Sequence, residues 1–157
     1  MSDSPPSWIR LLTPVPAGVV PERKPVASAE QVARGTAGPI AGWESVSVHL
    51  SDPKLGSRHI LISLDPAGRL LSAGDHVMRV RELSADGTVR LADHESVGGR
   101  YDEDGTFHGT RWLSTIVCES AEDHARQVSS DKSAPTEEDI AALNRLVADL
   151  VARSTRK

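Results

Sequence analysis

Leu64-Asp65-Pro66-Ala67-Gly68-Arg69-Leu70, Leu83-Ser84-Ala85-Asp86-Gly87-Thr88-Val89 and Tyr101-Asp102-Glu103-Asp104-Gly105-Thr106-Phe107 are one pattern written three times. A large apolar residue leads in, turn-forming residues reach a glycine, and an apolar residue follows two positions later. A type I turn closed by a left-handed residue has this form, and glycine adopts that backbone without steric cost. The glycines lie 19 and 18 residues apart, a spacing that suits consecutive hairpins. The reading is an antiparallel β-meander over residues 43–119.

The flanking segments carry the alternation such a sheet needs. Val46, Val48 and Leu50 alternate with Ser45, Ser47 and His49, and Ile60, Ile62 and Leu64 repeat the period of two from His59 onward. Gly74-Asp75 interrupts the next run as a bulge or corner. The turns set a register: Leu83 opposite Val89, Glu82 opposite Arg90, Arg79 opposite Asp93, Tyr101 opposite Phe107, Val97 opposite Arg111 and Glu95 opposite Leu113. Gly98-Gly99 facing Gly109 removes side chains on both sides of the ladder, so a sharp bend is expected there. Apolar residues fall on both faces, which implies a sheet covered on both sides by the helix and the arm, or a closed barrel.

Residues 1–42 form an arm that holds seven of the ten prolines, which excludes most sheet pairing and long helix. Ser28-Ala29-Glu30-Gln31 reads as a capping box for a short helix over 29–34, stopped by Gly35. Trp8, Ile9, Leu11 and Leu12 make an apolar knot with two readings: packing back onto the domain, or anchoring a partner through Trp8, Ile9 and Leu12. Residues 120–135 are polar and read as a linker. Over 136–154, Thr136 caps an acidic first turn, and Ile140, Leu143, Leu146, Val147, Leu150 and Val151 form one apolar stripe. The fold class is α+β, mainly β: an antiparallel β-meander of five to six strands, strongly bent or barrel-like, with a Pro-rich N-terminal arm and one C-terminal amphipathic helix.

Composition removes several function classes. The net charge is −4, and acids are interspersed among the arginines, so nucleic acid and anionic membrane are not expected partners. A single cysteine, Cys118, excludes an intramolecular disulfide and a thiolate zinc site. Together with an N-terminus that lacks a basic, apolar leader, this places the protein in the cytoplasm. Cys118 reads as a buried, inert strand residue.

Chemistry-bearing residues cluster only through the register. One face carries Arg79, Arg81, Asp93, Glu95 and Arg111 at one end and Tyr101 and Phe107 at the other. Asp93 or Glu95 as a base, with Arg111 or Arg79 as anion partner, would form a polar site. Arg79, Arg81, Tyr101, Trp112 and His94 are the ligand-binding candidates. The competing reading is a solvated charged face. The six histidines show no metal-ligand spacing, and no cofactor motif is present. These features describe a non-catalytic binding or assembly module acting through a protein partner or self-association. The alternative is a small-molecule-binding protein or a small isomerase- or hydrolase-like enzyme with a polar pocket in the curved sheet.

Overall fold

A computed structural model describes residues 7–117 and 126–155. Seven strands run in chain order across one antiparallel sheet: β1 (Glu22–Pro25), β2 (Glu44–Asp52), β3 (Gly56–Leu64), β4 (Leu70–Leu83), β5 (Val89–Tyr101), β6 (Phe107–Val117) and β7 (Arg126–Ser133). Two helices accompany them, α1 (Ala29–Ala33) and α2 (Glu137–Ser154).

The three repeated turns take the form their sequence requires. Gly68, Gly87 and Gly105 have φ of 85°, 86° and 87°. Each donates its N–H three residues back, to the carbonyls of Asp65, Ser84 and Asp102. Side chains reinforce them: Asp65 Oδ1 accepts from the Ala67 and Arg69 amides, and Asp102 Oδ1 from those of Asp104 and Thr106. Hydrogen bonds from the Ser84 and Thr88 side chains and the Thr88 amide hold the Asp86 carboxyl down at about 2.

Four expectations are corrected. The strand count is seven, because β1 lies in the Pro-rich arm and β7 in the stretch read as a linker. β1 ends at Pro25 and forms a sheet edge, where a missing N–H costs no ladder bond. The sheet is open rather than closed, with β1 and β7 at its edges. Gly74-Asp75 is no corner: β4 pairs continuously through it, with Gly74 opposite Leu61 on one side and Gly98 on the other. The Glu82–Arg90 pairing is displaced, since a register shift near the hairpin sets Glu82 opposite Leu91. The other five expected pairs stand as read. The short-helix signal also holds: Ser28 and Gln31 close a capping box at the head of α1.

Close approach explains the glycines at the centre. A Cβ on Gly99 would lie 2.2 Å from the His108 carbonyl oxygen and 2.4 Å from Gly109 Cα. Gly109 in turn makes room for the Phe107 ring.

Both covering elements sit on the same face. Leu143, Leu146, Val147 and Leu150 of α2 pack with Val46, Val48, Ile60, Ile62, Leu64, Val97, Tyr101 and Phe107, and Val15 from the arm joins this core. Each large side chain buried there contributes about 1.5–3 kcal/mol. Thr136 and Asp139 close a capping box at the head of α2. The arm crosses the neighbouring part of the face, where Ile9 is fully buried. The expected covering of both faces is therefore replaced by a face that α2 and the arm cover except around Leu113, and an open face over which no described helix packs. Cys118 and the Arg156-Lys157 terminus lie outside the described residues.

Candidate functional site

The register resolves each face into rows. On the covered face one row reads Val48, Ile60, Asp75, Val97, Arg111, and the next Leu50, Arg58, Val77, Glu95, Leu113. Arg58 and Asp75 are thus charged residues at inward positions of adjacent strands. Arg58 Nε donates to Asp75 Oδ1 at 3.0 Å and Nη2 to Oδ2 at 2.8 Å, and both side chains are fully buried. The remaining donors bind the arm, at the Trp8 carbonyl, the Thr13 hydroxyl and the Thr13 carbonyl. The Leu12 amide donates to Asp75 Oδ2 at 2.8 Å. Leu12 has a φ of 64°, unusual for a branched residue, so the arm is bent to fit this pair. Of the expected anchor residues, Ile9 is buried, Leu12 packs against the core and Trp8 is half-buried.

The charged candidates separate into three ion pairs. Arg79 donates to Glu95, Arg81 to Asp93 at 3.4 Å, and Arg111 to Asp139 at the head of α2 at 2.9 Å. Arg79, Asp93 and Glu95 line a shallow hollow of about 300 Å³ with Thr115 and Asp131. Arg111 is drawn out of that group by the helix. Desolvation pushes the Asp139 carboxyl upward, but hydrogen bonds from Thr136 and Arg111 outweigh it and leave it below the usual range. Tyr101 lies at the other end of the sheet, where burial raises its hydroxyl pKa and Oη donates to Asn144 Oδ1 at 2.7 Å. His94 and Trp112 are on the opposite face. The eight sequence candidates of the sheet are therefore spread over four places.

The open face has a different chemistry. His49, His59, His76, Ser96, Trp112 and Lys132 form one row across six strands. His49 and His59 meet edge to face at 5.7 Å, His76 and His94 stack at 6.0 Å, and His94 meets Trp112 at 6.4 Å. Serines fill much of the rest. Between β2 and β6 the alternate positions facing this way, 45–51, 57–63, 72–80, 92–100 and 108–116, include no Asp or Glu. Trp112 Nε1 donates to Ser130 Oγ at 2.9 Å, which fixes the indole while 38% of the residue stays exposed. Lost hydration lowers the His76 pKa, assisted by His94 and His59 and opposed by Asp75.

Among the described residues, no three His, Cys, Asp or Glu side chains converge to hold a metal ion. No described helix is long and apolar enough to cross a membrane. Sequence reading did not single out His49, His59 and His76 as a row, and it missed Arg58–Asp75. Carrying the period of two through Gly74 would have placed Asp75 inward, beside Arg58.

Compared with protein families, curated proteins and solved structures, the chain has no significant match to any of them.

Proposed function

We propose that the protein is a non-catalytic assembly module, and that the open face of its sheet binds a second copy of the chain. The observation that supports this reading is the contrast between the faces. One is covered by α2 and the arm except around Leu113; over the other no described helix packs, and it carries Trp112, Leu61 and a histidine row among small polar residues.

Both sheet edges are poor docking sites. β1 is four residues long, charged, and ends in Pro25, while β7 carries Asp131 and Lys132 and pairs through a register shift. The face is the surface that remains. A two-fold contact places the same patch against itself, so the patch must tolerate its own charges. Between β2 and β6 this face carries no Asp or Glu, and its histidines and serines both donate and accept hydrogen bonds. Strands β2–β7 at about 4.8 Å spacing, with about 30 Å of strand length, give a face of roughly 700 Å². A standard interface takes about 800 Å² from each partner.

Sedimentation velocity on the full chain and on Trp112→Glu tests the reading. The expected result is a dimer for the native chain and a folded monomer for the variant. A native chain that stays monomeric at 100 µM contradicts it, as does an unchanged dimer in the variant.

A further inference from the structure

A groove of about 590 Å³ lies away from the open face, between α2 and the β3–β4 and β5–β6 turns. Its walls are Leu64 and Leu70 from the sheet and Val147 and Val151 from the helix. Ligand sites for small molecules fall in the range of about 300–1,000 Å³ and combine apolar walls with a few placed polar groups. The polar groups here are unequal in what they still offer. Tyr101 occupies the Asn144 amide oxygen, which leaves that amide nitrogen as a donor. Asp104 Oδ1 is taken by the Thr106 amide and hydroxyl. The Arg69 side chain makes no hydrogen bond or ion pair with any described residue, and all five of its N–H groups are uncommitted at the groove. Against these donors stand two carboxylates, Glu103 and the Thr106-bonded Asp104.

We infer that this groove binds a small amphipathic molecule, its apolar body between α2 and the sheet and its anionic head on Arg69 and Asn144. A guanidinium is suited to a planar carboxylate because two parallel N–H groups match its two oxygens. Arg69 comes from the β3–β4 turn and Glu103 and Asp104 from the β5–β6 turn, and these carboxylates oppose an anionic head and favour a cationic one. The inference does not depend on the dimer, since the groove belongs to the covered side of the sheet.

Dodecanoate, dodecanol and dodecyltrimethylammonium share a twelve-carbon chain and differ in head charge. Each is titrated below its micelle concentration into the full-length ¹⁵N-labelled protein. Saturable shifts centred on Gly68, Gly105, Ala148 and Val151 with dodecanoate, and weaker binding of the other two, are the expected result. Arg69→Ala then lowers dodecanoate affinity roughly ten- to hundredfold, and Glu103→Gln raises it. Ala148→Trp, on the exposed side of the helix, fills the groove and abolishes binding while the helical circular dichroism is kept. Preference for the cationic chain, with Glu103→Gln weakening it, overturns the anionic assignment. Absence of saturable shifts, or shifts confined to the histidine row, overturns the site. Neither result bears on the oligomeric state, which sedimentation reads separately.

Discussion

Arg58 and Asp75 face each other from adjacent strands in a two-pronged ion pair, with both side chains fully buried under the N-terminal arm. Every buried side-chain polar atom of the pair has a partner. The arm supplies four of those partners, from Trp8, Leu12 and Thr13, and is thereby tied to β3 and β4.

Removing one member leaves the other charge buried and alone. Asp75→Asn and Arg58→Met are each expected to cost about 3–5 kcal/mol in urea unfolding. The double variant Arg58→Met/Asp75→Leu is expected to cost less than either single change, because no charge is stranded. Single variants that unfold at the native urea midpoint contradict the account. The Arg153 guanidinium, which binds the carbonyls of Val15, Pro16 and Val19, gives the arm a second hold that these variants leave intact.

The glycine contact at the centre predicts a second loss. At Gly99 a methyl group would meet the backbone of His108 and Gly109, which no flexible side chain can relieve. Gly99→Ala is expected to destabilise by about 1–3 kcal/mol or more, read as a fall in melting temperature. Gly68→Ala, where nothing lies within 4 Å, costs only the strain of its positive φ and serves as the comparison. Equal losses at the two sites contradict the close-approach reading.

Asp139 links the sheet to the helix and makes stability acid-sensitive. Its pKa is lowered in the folded state, so the stabilisation is complete above the ordinary value of 3.8 and is lost as pH falls through the lowered folded value. Asp139→Asn removes the cap carboxylate and the Arg111 partner together, at about 0.5–2 kcal/mol. Urea unfolding at pH 7 and pH 3 reads both effects. The native chain approaches the variant at the lower pH; a constant gap between them contradicts the assignment.

The histidine row predicts the opposite half of the pH profile. The folded pKa of His76 is lowered, so the folded state binds fewer protons than the unfolded chain below about 6.5. Stability associated with neutral His76 is present above that value and is lost as pH falls through it toward the lowered folded value. In a face-to-face dimer, protonation of His76 also brings positive charge into the contact. Sedimentation at pH 7.5 and pH 5.5 is expected to show dissociation on acidification, and His76→Gln to reduce that response. A dimer of the native chain that tightens at pH 5.5 contradicts this.

Much of the fold was legible because the turns are local. The Gly68, Gly87 and Gly105 patterns state their own conformation, and each turn fixes the register of the strands it joins. Val97 opposite Arg111 and Tyr101 opposite Phe107 follow by counting. β1 and β7 were not legible, since Glu22–Pro25 and Arg126–Ser133 have little apolar alternation and owe their pairing to a neighbouring strand already in place. The charged site was partly legible. The register brought Arg79, Asp93 and Glu95 together, but it carried no information that the head of α2 would take Arg111 through Asp139. Burial of a face is likewise a property of what lies over it, so sequence alternation did not show that the arm and α2 share one side.

The most direct test of the assembly reading is an isotope-filtered NOE experiment on an equimolar mixture of ¹³C-labelled and unlabelled full-length chains. The account predicts contacts between protomers from the Trp112 indole and the Leu61 methyls to the His59 and His76 rings. Contacts found instead on the outer side of α2, or none in a sample that sediments as a dimer, would contradict it.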